Sequence, residues 1–117
     1  MNLDKLTIKS QESLAAAMDT ASEYGHAEIQ PLHILLALLK QENGAVESVI
    51  RRIGAQIPQL VRDVETALEK LPRVSGGGLG NPGLGKTAQQ LLDAGWKVAQ
   101  ELGDEYLSTE HILLGLL

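Results

Sequence analysis

An all-α fold is what this chain of 117 residues predicts, and three observations carry the prediction. Leu and Ala, the strong helix formers, number 21 and 12. Aromatic residues are only Tyr24, Trp96 and Tyr106, and Phe is absent. Apolar residues recur at helical rather than strand spacing along most of the chain.

The elements follow in order. Leu14, Ala17, Met18 and Ala21 form one face of a first helix, with Thr7 as its N-cap and Gly25 as a left-handed C-cap. Pro31 suits the first position of a second helix, expected to run to about Glu42. Its stretch Ile34-Leu35-Leu36-Ala37-Leu38-Leu39 is apolar almost all round, so this helix should be central and buried. Glu42-Asn43-Gly44 reads as a turn, and Val46, Val49, Ile50 and Ile53 mark a third helix ending at Gly54. Pro58 opens a fourth, with Leu60, Val61, Val64, Leu68 and Leu71 on one face, and Pro72 stops it. Six of the twelve glycines then fall between Gly76 and Gly85, with Pro82 among them, which predicts a linker or long loop.

The second half repeats the first. His33-Ile34-Leu35-Leu36-Ala37-Leu38-Leu39 returns 78 residues later as His111-Ile112-Leu113-Leu114-Gly115-Leu116-Leu117. Over positions 11–39, 12 of 29 residues are identical at that offset, enough to establish a tandem duplication. Ala17 meets Gly95, Ala37 meets Gly115 and Met18 meets Trp96, so small residues recur where helices should pack closely and Trp96 is expected in the core. The expected organisation is a four-helix repeat over 1–72, a Gly-rich linker over 73–85, and an incomplete second repeat over 86–117. Repeat arithmetic puts the end of a full second unit about 32 residues past Leu117.

Composition excludes several functions. Cys is absent, which removes disulfides and thiolate metal sites. Ten Lys and Arg against 15 Asp and Glu give a net charge of -5, contrary to a nucleic-acid surface. No apolar run is long enough to span a membrane. His33 and His111 sit one turn into their helices with no third ligand spaced for a metal, so structural or surface histidines are expected and no metal. Gly80-Asn81-Pro82-Gly83-Leu84-Gly85-Lys86-Thr87 fits the phosphate-loop pattern in full. No apolar strand precedes it and no later acid is placed for magnesium, so Gly80, Gly85, Lys86 and Thr87 are read as a false match. A small NTPase is the remote alternative.

The doubled pattern of Thr7, Gln11, the Ala-rich helix, Gly25-His26 and Pro31-Leu32-His33-Ile34-Leu35-Leu36 resembles the Clp N-terminal domain of Hsp100-type AAA+ unfoldases. Leu38-Leu39-Lys40-Gln41-Glu42 and Leu71-Pro72-Arg73-Val74-Ser75-Gly76 are similar to the disaggregase, or ClpB-type, branch. That resemblance implies two pseudo-symmetric four-helix repeats and a non-catalytic module that binds unfolded or aggregated polypeptides, or an adaptor protein. It implies Thr7, Asp104 and Glu110 as binding residues beside an inter-repeat groove to which Ala94 and Val98 contribute. It further implies a cytoplasmic setting, ATP and magnesium held only by downstream domains, a monomeric piece and a homohexameric whole. Thr7 and Ser108 are also good N-caps, and Glu110 a favourable first-turn acid, whatever else they do. The alternative within the family is an adaptor-docking domain of a protease-linked, ClpA- or ClpC-type unfoldase.

Overall fold

In the computed structural model, residues 3–74 and 81–117 are described. After a 3-10 turn at Leu3–Lys5 come six helices: α1 Ile8–Tyr24, α2 Pro31–Lys40, α3 Ala45–Ile53, α4 Ile57–Glu69, α5 Lys86–Glu101 and α6 Thr109–Leu116. The boundaries obey the capping chemistry. The Thr7 hydroxyl accepts the Ser10 N–H, and Gly25 closes α1 at φ 74°. Gly54 does the same for α3 at φ 91°. Pro31 opens α2 and Pro58 lies in the first turn of α4. Helix α2 ends two residues before the expected Glu42, because Gln41 is extended. The left-handed residue of the following turn is Asn43 (φ 56°), leaving Gly44 as the N-cap of α3.

Two short strands lie where sequence periodicity shows none. β1 (Glu28–Ile29) pairs in parallel with β2 (Gly83–Leu84), so the expected linker contains a paired strand. Leu6 and Leu107 form a matching parallel bridge. These two pairings are the same contact seen twice: position 6 is the repeat counterpart of 84, and 107 of 29. Each repeat's first helix is therefore tied at its start to the other repeat's second helix. The Thr7 N–H donates to the Leu107 carbonyl at 3.1 Å, and its counterpart, the Gly85 N–H, donates to the Ile29 carbonyl at 2.9 Å.

One core joins both halves. Leu6, Ala21, Ile34, Leu38, Leu92, Leu107 and Ile112 are all buried in it, and half-buried Trp96 packs against it as expected. Ser10, fully buried on α1, donates its hydroxyl proton to the Leu107 carbonyl at 2.9 Å, so burial leaves that polar group paired. A second cluster under α4 is built on Leu36, Leu39, Val64 and Leu68. Helices α5 and α6 cross where both lack side chains. A Cβ at Gly115 would lie 2.8 Å from the Gly95 nitrogen, and one at Gly95 would lie 3.0 Å from the His111 carbonyl oxygen. Among the described residues no helix is long and apolar enough to cross a membrane.

Candidate binding groove and its rim

Helix α1 presents Gln11, Leu14, Ala15 and Met18 along one face, the i, i+3, i+4, i+7 stripe of a helix surface. Opposite them stand Leu6, Ile29 and the β2 segment Pro82–Leu84. Between the two sides lies an open cavity of about 600 Å³, largely apolar, with Asp4 and Gln11 as its polar lining. This groove uses residues of the first repeat and of the segment that enters α5, so it is an inter-repeat groove. Met18 is half-buried and flexible, a side chain suited to accommodating varied partners.

A smaller cleft of about 340 Å³ opens at the N-terminal end of α1. It brings together two of the expected residues, Thr7 and Glu110, with exposed Ile8 and the Asn43–Ala45 turn. Thr7 is engaged in capping: its hydroxyl accepts the Ser10 N–H at 3.2 Å and donates to Ser10 Oγ at 3.0 Å. Glu110 is exposed in the first turn of α6 and accepts from Thr109 Oγ1 at 3.2 Å. Lys9 lines the cleft as well and reaches the Glu42 carbonyl at 3.4 Å.

Ala94 and Val98 stand elsewhere. Neither is among the residues that line the α1–β2 groove. Their repeat counterparts, Ala16 and Thr20, line the shallow cleft between α1 and α2 instead. None of the residues lining that groove was expected as a binding residue from sequence, Leu14 and Met18 having been read only as a helix face. For Ile29 and Leu84 the signal was tertiary: the two-residue strands that bring them together are too short for a period.

Asp104 is held by His111, whose Nε2 lies 2.8 Å from Asp104 Oδ2. In the other repeat the equivalent residues are His26 and His33, with His26 Nδ1 2.7 Å from His33 Nε2. The Gln30 N–H donates to His33 Nδ1 at 2.8 Å, so the His33 proton sits on Nε2 and is donated to His26. That leaves the His26 proton on Nε2, a buried atom with no hydrogen-bond partner among the described residues. Both rings are buried, and His26 also stacks on Tyr24 at 5.4 Å. Burial, then the neighbouring His26, lowers His33 to about 4, and burial, then Arg73, lowers His26. His33 and His111 are both buried and hydrogen-bonded within the fold, and among the described residues no group of three or more His, Cys, Asp or Glu could hold a metal.

The phosphate-loop pattern falls partly at the start of α5. Gly80 lies outside the described residues. Gly85 is the N-cap of α5, with Lys86 and Thr87 exposed in its first turn. The Glu28 carboxylate lies over Gly85: a Cβ there would be 2.6 Å from Glu28 Cδ. An acid thus lies against the N-cap residue of α5.

Residues 5–117 match the Clp repeat N-terminal domain. The chain is 40% identical over 114 residues to the chaperone protein ClpB of Rhodopirellula baltica, covering 97% of this chain and 13% of that protein. It is 35% identical over 117 residues to the ClpB chaperone of Bacteroides thetaiotaomicron, again spanning 13% of the relative. The N-terminal domain of the ClpV1 ATPase from Escherichia coli superposes with a TM-score of 0.87 at 29% identity, covering 97% of this chain and 68% of that one. The Hsp104 N-terminal domain of Candida albicans shares the fold, with a TM-score of 0.85 at 23% identity over 96% of this chain and 73% of that one. Duplicated helices laced together by reciprocal strand pairs, and a family match across nearly the whole sequence, lead to one assignment: the chain belongs to the Clp repeat N-terminal domain family.

Proposed function

We propose that this chain is the non-catalytic polypeptide-binding module of a ClpB-type disaggregase, and that it takes apolar segments of unfolded or aggregated proteins into the α1–β2 groove. The observation that carries this reading is the groove itself, about 600 Å³ and largely apolar, opening beside a cleft with one exposed carboxylate. Leu14, Ala15, Met18 and Leu84 supply a non-directional surface that accepts many sequences. Glu110 at the neighbouring cleft favours segments that carry a basic residue, and Thr7 sets the start of α1 against it. A ClpV N-domain with a TM-score of 0.75 and 25% identity has been solved in complex with a VipB peptide, so a relative of this fold takes a peptide.

In this reading ATP and magnesium act only in other domains of a longer, cytoplasmic, homohexameric protein. The module alone is monomeric, and weak binding at each copy gains from avidity across the hexamer. Glu28 over Gly85 supports the absence of a nucleotide site here, and the net charge of -5 supports polypeptide rather than nucleic-acid partners. An adaptor protein would use the same groove.

The test is a fluorescence-anisotropy titration with a short labelled peptide of leucine and arginine. Ala15→Asp is the informative variant, because Ala15 is exposed in the groove and its repeat counterpart is already Asp93. It should weaken binding about tenfold or more, a loss of roughly 1.4 kcal/mol. Glu110→Gln should weaken it less and flatten its salt dependence. Wild-type affinity in a folded Ala15→Asp protein would contradict the assignment.

A further inference from the structure

The two acids that the family resemblance implies as a binding pair are in different situations. Glu110 projects into the cleft with Thr109 Oγ1 as its protein partner. Asp104 does not line that cleft and accepts from His111, a ring whose side chain is 8% exposed. The Ser108 N–H donates to His111 Nδ1 at 2.9 Å, so the ring carries its proton on Nε2 and donates it to the Asp104 carboxylate at 2.8 Å.

The duplication provides an internal control. Position 26 is the counterpart of 104, and 33 of 111. There the same chain of bonds forms, from the Gln30 N–H to His33 Nδ1 and from His33 Nε2 to His26 Nδ1. In one repeat the final acceptor is a carboxylate; in the other it is a neutral imidazole. What the two have in common is a hydrogen-bond acceptor seven residues before the helix-start histidine, with no common charge. The bond ties the turn after α5 to the first turn of α6. That turn also carries Leu107, whose carbonyl accepts from the Thr7 N–H and from Ser10 Oγ.

We infer that Asp104 is a positioning residue: its carboxylate accepts from His111 to fix the α5–α6 turn, which sets Glu110 against Thr7, and it makes no contact with the bound polypeptide. This rests on the binding reading of the groove and cleft given above. A carboxamide oxygen or an imidazole nitrogen at position 104 serves as acceptor equally well, whereas a charge contact to a ligand survives neither change.

The experiment compares Asp104→Ala, Asp104→Asn, Asp104→His and Glu110→Gln in this chain, with the same leucine–arginine peptide and NMR of the imidazole nitrogens. Asp104→Asn and Asp104→His should bind within about twofold of wild type and keep His111 protonated on Nε2, while Asp104→Ala should lose roughly tenfold with the His111 signals displaced. Rescue by the residue that the other repeat uses is the signature of positioning. Equal losses for Asp104→Asn, Asp104→His and Glu110→Gln, with His111 undisturbed, would overturn the inference and make Asp104 a direct contact. Unchanged binding in Glu110→Gln and in Ala15→Asp would instead overturn the binding reading on which it rests.

Discussion

Leu36 and Leu114 hold the same place in the repeat, yet Leu36 is 2% exposed and Leu114 is 47% exposed. In the first repeat α4 lies over this face and closes a second core with Val64 and Leu68. In the second repeat no described helix covers the matching face of α6. The helix pairs differ as well: Ala17 and Ala37 stand where α5 and α6 have Gly95 and Gly115 in direct backbone contact. The inner faces have also diverged, with Leu14, Ala15 and Met18 lining the groove where α5 carries Leu92, Asp93 and Trp96. The second repeat's face is filled by an indole and edged by an acid.

That contrast can be broken most visibly at its outer face. Leu36→Ala should cost about 2–5 kcal/mol by leaving a cavity, whereas Leu114→Ala should stay within about 0.5 kcal/mol, both read from denaturant midpoints. Next in size, Gly115→Ala should destabilise by roughly 1–3 kcal/mol, because the methyl meets the Gly95 nitrogen and the Leu91 carbonyl, neither of which can swing aside. Its repeat counterpart already carries a methyl at Ala37.

The buried His26–His33 pair gives the first repeat a pH dependence with a definite sign. Both groups are lowered in the folded chain, His33 from 6.5 to about 4, so the unfolded chain binds more protons in that interval. Their contribution is complete above pH 6.5 and is lost progressively as the pH falls toward 4. Thermal melts across that interval should show the midpoint dropping, with Tyr24 fluorescence reporting loss of the ring stack. A midpoint unchanged between those pH values would contradict the neutral pair.

Smaller effects sharpen the comparison further. Thr7→Ala removes a capping hydroxyl and should cost about 1 kcal/mol in chemical denaturation. Removing the exposed Lys40–Glu65 pair, 3.2 Å apart, should change stability by about 0–1 kcal/mol.

Local chemistry made most of the fold legible. Thr7, Gly25, Pro31, Gly54 and Pro58 punctuate the helices, and the 78-residue offset pairs the two halves. Gly95 and Gly115, glycines inside helical patterns, correctly signalled close backbone approach. What stayed hidden depended on long-range placement. Two-residue strands have no period to read, so the β1–β2 pair and the groove floor at Ile29 and Leu84 were invisible. Ala94 and Val98 were carried over from the resemblance and are not among the residues that line the α1–β2 groove. His26 as the partner of His33 was within reach, since the offset sets it opposite Asp104, seven residues before each helix-start histidine.

The central claim, that bound polypeptide lies along α1 rather than on the exposed face of α6, is tested most directly by NMR. Amide and methyl shifts of the labelled chain are followed as the leucine–arginine peptide is added. The account predicts that the perturbed residues form one continuous patch through Leu6, Leu14, Ala15, Met18, Ile29 and Leu84, reaching Glu110. A patch centred on Leu102, Leu114 and Leu117, with α1 unmoved, would contradict it.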